Sequence, residues 1–468
     1  MTGKLAIGHH DRMVSRSTPA NPSPSSLPTR TTLARQAVPI ILAGASVPLL
    51  GMVDTAVIGH YGSAAELGAL AVGALLFNFL YWAFGFLRMA TTGFVAQAAG
   101  GGQAVRLQAA VLRPLLLGLG IGLALWLLHA PLSLLFHAAL GSTPALEARS
   151  DDYVAARIWG APAALALYAL CGSLIGLGRG GALLAVQLLL NGLNALLDIW
   201  FAGWLGMGLR GIGLGTAIAE WTSCALALWL LRQALREHGA GLRPAGWQWL
   251  GDRTAWRALW SANADLLLRT LCLLAGFAWF ARQGSQLGEV VLAGNHLLLQ
   301  LVAFCAFFLD GFAHVTEAHV GRAIGRGDRS GLGRVVRLGG ELAAATALGL
   351  ALLVLLGGGR IIAVLTDLAA VVAHAQAHLP WVAAYVLLSV AAFQLDGMFI
   401  GATATAPMRR SALYALLALV LCSWPAQQGW GSHGLWLAML VFAVVRALVL
   451  LPAWRLLAAR VGRGSAAI

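Results

Sequence analysis

Twelve apolar runs divide this chain, most of them at least as long as the roughly 20 residues that cross a bilayer. They lie at about 34–59, 67–99, 111–136, 153–177, 181–203, 211–234, 256–281, 288–322, 335–357, 379–402, 410–425 and 433–457. Only 10% of the 468 residues are charged and 59% are hydrophobic. Soluble proteins carry roughly 25% charged residues, so the pattern predicts an all-α polytopic membrane protein. Several runs exceed the hydrocarbon thickness and must tilt, bend or project.

The net charge of +13 does not form a basic face. Lys4, Arg12, Arg16, Arg30 and Arg35, then Arg106, Arg113, Arg179, the arginines of 232–257 and 322–337, Arg409, Arg410 and those of 455–463 fall on alternate loops. Arg149, Arg157, Arg210, Arg282 and Arg360 fall on the others. This asymmetry predicts both termini in the cytoplasm and a plasma (inner) membrane location, with lipid and not nucleic acid as the surrounding partner. Residues 1–33, rich in Ser, Pro and Thr, read as a disordered cytoplasmic tail, although an organelle transit peptide shares that composition. Residues 235–255 read as a cytoplasmic linker whose Trp247, Trp249 and Trp256 suit a membrane interface. A short tail, 459–468, ends the chain. Cys171, Cys224, Cys272, Cys305 and Cys422 have no paired spacing and read as apolar packers.

The halves repeat weakly. Gly62-Ser63 matches Gly284-Ser285 at an offset of 222, Gly172 and Gly176 match Gly397 and Gly401 at 225, and Gly211-x-x-Leu214 matches Gly434-x-x-Leu437 at 223. Two pseudo-symmetric six-helix bundles are expected, 34–234 and 256–458, with the binding site between them near the midplane.

Asp54 is the single acid in the first apolar run. A carboxylate within a span costs on the order of 2.5–3.5 kcal/mol on insertion scales and marks a functional site. Pro39 and Pro48 precede it and weaken the helix, leaving the carbonyls of Arg35 and Gly44 without their usual donors. In the fifth run Gln187, Asn191, Asn194 and Asp198 form one polar stripe, for which interhelical hydrogen bonding is the competing role. Asp54 and Asp198 each precede a glycine by five residues, Gly59 and Gly203, at the same end of their spans. That puts both roughly 7 Å inside that end.

Gly51-Met-Val-Asp54-Thr-Ala-Val-Ile-Gly-His60, Phe86-Leu-Arg-Met-Ala-Thr-Thr-Gly93, Leu309-Asp-Gly-Phe312 with Glu317-Ala-His319, Leu395-Asp-Gly-Met-Phe-Ile-Gly-Ala402 and Gly434-Leu-Trp-Leu-Ala438 together resemble one family. It is the multidrug and toxic compound extrusion (MATE) family, in the branch of the DNA-damage-inducible protein F. The resemblance spans about Ala34 to Arg455 and implies twelve transmembrane helices in two facing lobes. It further implies antiport of a small organic compound against H⁺ or Na⁺, with no other cofactor. By this resemblance Asp54, Asn194 and Asp198 couple the ion, and Pro39 matches the first-span proline. Asn78, Tyr81, Gln187 and Asn191 are the cavity candidates. A monomer is expected, and an organic-anion exporter or a lipid-linked flippase of the same superfamily is the alternative.

The second half lacks both acids, since the repeat places Gly276 and Leu421 there. Its intramembrane charges, Asp265, Arg269, Asp310 and Asp396, are expected to gate or brace the inner side, with Asp265 and Arg269 forming an i, i+4 pair. Arg88, Arg446 and Glu220 are open between structure and substrate. His314, Glu317 and His319 lack zinc-protease spacing, and no Walker A loop is present, so neither a metal centre nor an ATP motor is expected. A membrane-embedded enzyme is the remaining alternative.

Overall fold

The computed structural model describes residues 28–141, 143–242 and 251–461. Among these the backbone is helical throughout, with turns between, because hydrocarbon offers a polar backbone no partner but itself. The first lobe comprises α1 (Arg30–Ala45), α2 (Val47–Tyr61), α3 (Ala64–Ala83), α4 (Phe86–Gly100), α5 (Ala104–Leu127), α6 (His129–Leu140), α7 (Pro144–Arg157), α8 (Ala161–Gly176), α9 (Gly180–Asp198) and α10 (Gly208–Glu237). The second comprises α11 (Arg253–Gln286), α12 (Glu289–Arg326), α13 (Arg329–Leu365), α14 (Ala369–Gly401) and α15 (Ala406–Arg460).

Several membrane crossings are broken helices. α1 and α2 form one crossing, as do α3 with α4, and α7 with α8 through a 3₁₀ turn at Ile158–Gly160. Directly after Asp198, α9 loosens into a π-helical turn, Ile199–Trp204. Eleven stretches are long and apolar enough to cross. The last, α15, has 55 residues, about 80 Å at 1.5 Å per residue, and a bilayer core is about 30 Å. It turns back at Gly431, whose φ of 53° and ψ of −129° no helix contains. Two crossings result, twelve in total.

The boundaries shift from those read in the sequence. α1 starts at Arg30, inside the stretch read as tail. The third run is α5 plus a separate α6 after a break at Leu128, and α10 continues through Glu237 into the stretch read as linker. Trp247 and Trp249 lie outside the described residues, and Trp256 belongs to α11.

The lobes meet at the end that carries most arginines. Arg30 pairs with Glu341, Nε2 of His319 meets Oε1 of Gln36 at 2.8 Å, and Gln97 donates to the carbonyl of Gly401 and the hydroxyl of Thr403. Glycines permit the approach: Gly100 lies against the Arg322 carbonyl, and Gly325 against that of Gln97. Ile41 against Gly311 and Phe307 beside Gly44 carry the contact away from that end, as do Arg88 and His314, joined at 3.2 Å. They stand twelve residues from Gly100 and Arg326 respectively, about 18 Å in depth.

Candidate functional site in the first lobe

The first crossing bends where the proline chemistry demands. Pro39 sits within α1, and Pro48 occupies the first turn of α2, so the Gly44 carbonyl loses its i+4 donor. It accepts instead from the main-chain N–H of Ser46, which also reaches Leu42. The bend is held from outside, since Asn191 of α9 donates its Nδ2 to the Ser46 carbonyl at 2.7 Å.

Two turns beyond the bend, Asp54 is 3% exposed. The side chains of Asp198 and Asn194 lie within hydrogen-bonding reach of its carboxyl. Asn194 donates to the Thr216 hydroxyl of α10 at 3.0 Å, and that hydroxyl donates to the Ile212 carbonyl. Gly215 makes room for Asp198, because a Cβ there would stand 2.6 Å from its Oδ1. Four buried oxygens then have no hydrogen-bond donor: Oδ1 of Asp54, Oδ1 of Asn194 and both carboxyl oxygens of Asp198. Such atoms are costly unless a proton or cation joins them.

Arg157 faces this pair and is 6% exposed, at the C-terminal end of α7. Its guanidinium stands 4.6 Å from the Phe77 ring centroid and bonds the Tyr153 hydroxyl. Glu220 of α10 lies over Gly160 and close enough to feel Arg157, with Oε2 buried and unbonded. Tyr81 joins the same group, 5.9 Å below the guanidinium, its hydroxyl buried without a partner. The chamber thus holds three carboxyl groups against one fixed cation.

Arg157, expected on an external loop, lies instead inside the lobe. The apolar run read as 153–177 already contained it. Its spacing from Tyr153 is one helical turn, which puts ring and guanidinium on one face. Glu220, ambiguous from the sequence, belongs to the chamber. Gln187 bonds Asn191 at 3.4 Å and continues the stripe, whereas Asn78 is exposed and forms no hydrogen bond among the described residues.

The second lobe carries a different arrangement. Asp265 and Arg269 do not pair with each other. Asp265 accepts from the Thr405 hydroxyl at 2.8 Å and from Arg409 at 2.6 Å. Arg269 instead bonds Asp396, which Arg446 also bonds, at 2.5 Å. The i, i+4 geometry loses because α14 and α15 offer partners with shorter reach across the interface. Asp310, half-buried, faces these arginines and Arg88 without a hydrogen bond. His314 and Glu317 meet, and His319 turns to Gln36, so the three do not converge on one point.

The MatE family profile matches residues 39–200 and 268–424. The chain belongs to the multidrug and toxic compound extrusion (MATE) family. It is similar to DNA damage-inducible protein F of Escherichia coli K12, 39% identical over 90% of each chain. Probable multidrug resistance protein NorM of Xanthomonas campestris pv. campestris is 27% identical, covering 92% of this chain and 94% of its own. The MATE structures solved in bent and straight conformations superpose with TM-scores of 0.84 and 0.82 at 16% and 17% identity. They cover 94% and 93% of this chain and 97% of theirs. The two-lobe fold is that of those structures, and as a member of the family the chain is a multi-pass membrane transporter.

Proposed function

We propose that the protein exports a small lipophilic organic cation in exchange for protons, by alternating access of the two lobes in the plasma membrane, with the arginine-rich end in the cytoplasm. The observation that carries the coupling is the contact of Asp54 with Asp198 in a chamber shut off from solvent. Two carboxylates side by side in a low dielectric repel, and one proton shared between them converts repulsion into a hydrogen bond. Arg157 supplies a positive charge facing the pair, and Asn194, within hydrogen-bonding reach of Asp54, keeps a buried Oδ1 without a donor. The charge balance of Asp54, Asp198 and Glu220 against Arg157 supports a cationic substrate.

In this reading the deprotonated pair draws water and holds the chamber wide. Protonation removes the need for solvation, and α2 closes on the neutral acids by bending about Ser46. The substrate site narrows and empties. Asn191 ties this bend to α9, so the motion of one helix moves the other's polar stripe.

Sodium is the second reading, favoured by the same four unpartnered oxygens, since a hard cation takes oxygen ligands. Purified protein in proteoliposomes separates the two. A pH jump in sodium-free buffer should drive uptake of a fluorescent organic cation. Transport that requires sodium and ignores the jump assigns the site to Na⁺. Transport that needs no gradient at all removes the antiport reading.

A further inference from the structure

A chain of three side chains crosses the contact between the lobes, about 18 Å from the arginine-rich end. Nη1 of Arg88 in α4 stands 3.2 Å from Nε2 of His314 in α12, and Nδ1 of His314 stands 3.2 Å from Oε2 of Glu317. The chemistry permits only one arrangement of protons. A guanidinium has no acceptor, so Nε2 must accept, and the single imidazole proton must sit on Nδ1. That N–H points at Glu317, which accepts as the carboxylate. Link and protonation state therefore exclude each other: a proton on Nε2 sets donor against donor and cation against cation.

We infer that His314 and Glu317 form a second proton site, whose loading releases the Arg88 link and lets the arginine-rich end open. The position suits this. His314 is 15% exposed within the contact between the lobes, and Glu317, at 0%, lies behind it with Oε1 unbonded. A proton arriving from the open side meets the imidazole first, and the imidazolium turns to the carboxylate.

The surrounding charges leave Arg88 to this role. Thr92 on α4 and Asp310 on α12 face Glu317, and Arg88 is faced by Asp310 and Glu317 and by Tyr168 and Cys171 of α8, with His314 its hydrogen-bond partner. Arg269 and Arg446, beyond Asp310, are both bound to Asp396. Arg322 and Arg326 lie further along α12 beside His319. The inference rests on the transport reading for its purpose and not on Asp54 for its chemistry.

The test is the distance between nitroxides attached through ketone-bearing residues at Gln103 and Arg329, one per lobe at the arginine-rich end, in full-length protein in nanodiscs. This leaves the five cysteines untouched. Between about pH 8 and about pH 4, an interval that reaches below the ordinary imidazole range, a longer-distance population should grow from minor to major. His314→Gln accepts from Arg88 and donates to Glu317 yet cannot be protonated, so the short distance should persist at both ends of the range. Arg88→Met should show the long distance already at about pH 8. Asp54→Asn should respond to pH as the unmodified protein does, even where its gradient-driven transport is lost. An unmodified protein without a pH response, a response that survives His314→Gln, an Arg88→Met that stays closed at about pH 8, or a response that vanishes in Asp54→Asn would overturn the second site.

Discussion

Nδ2 of Asn191 donates to the main-chain carbonyl of Ser46 across 2.7 Å, tying the bend of the first crossing to the polar face of the fifth. Pro48 weakens the helix by withholding a donor from the Gly44 carbonyl, and two residues on Asn191 holds the Ser46 carbonyl from another helix. In the proposed cycle that bond is the pivot about which α1 and α2 move as two pieces.

Asn191→Leu should leave the Ser46 carbonyl without this donor and cost about 1–3 kcal/mol of stability, together with most of the transport rate. Asn191→Gln, long enough to regain the carbonyl after a shift, should lose less. Thermal unfolding in detergent and transport in proteoliposomes measure both. A leucine variant that transports normally would show that the anchor is idle.

Arg157→Met should destabilise by on the order of 3–5 kcal/mol, since it removes the one cation from a chamber with three carboxyl groups. Arg157→Lys should fall between, because lysine keeps the charge without the planar stacking on Phe77. Melting temperatures of the purified variants give the order, and equal melting of Met and Lys variants would contradict it.

In the second lobe the charge swap between Asp265 and Arg269 should not rescue transport lost in the single variants, since the two are not partners. Asp265→Arg combined with Arg409→Asp should recover part of it. Asp396→Asn should be worse than any of these, with Arg269 and Arg446 left facing one another at a cost of about 3–5 kcal/mol.

Outside the membrane, Asp328 caps α13 by accepting from the Gly331 N–H at 2.8 Å. That backbone bond, with Ser330 and Arg326 nearby, holds its carboxyl below the usual carboxylate range. The capping contribution is therefore complete above the carboxyl's unfolded pKa and is lost as pH falls through the lower, folded one. Asp328→Ala should cost about 1 kcal/mol at neutral pH and speed amide exchange at Gly331, a difference that shrinks in acid. An exchange rate indifferent to the substitution would remove the cap.

Twelve crossings, the six-plus-six repeat and the Asn194–Asp198 spacing are legible in the chain because apolar length and helical periodicity are local properties. Arg157 is not, since beyond Tyr153, one turn away, its cost is met by Phe77 and Glu220, which only folding brings to it. For the same reason the i, i+4 spacing of Asp265 and Arg269 misleads, because α14 and α15 supply better partners than one helix turn can. Gly431 shows the opposite case, where a glycine between two apolar runs marks a reversal that length alone already demands.

The central claim is that Asp54 is the proton switch, and Asp54→Asn tests it most directly. Asparagine keeps the size of the neutral acid and has no proton to release. In proteoliposomes under an imposed pH gradient the variant should bind the organic cation within a few-fold of the unmodified protein and lose gradient-driven transport. Asp198→Asn should shift the pH dependence and retain part of the rate. Transport by Asp54→Asn at the unmodified rate under the same gradient would contradict the mechanism.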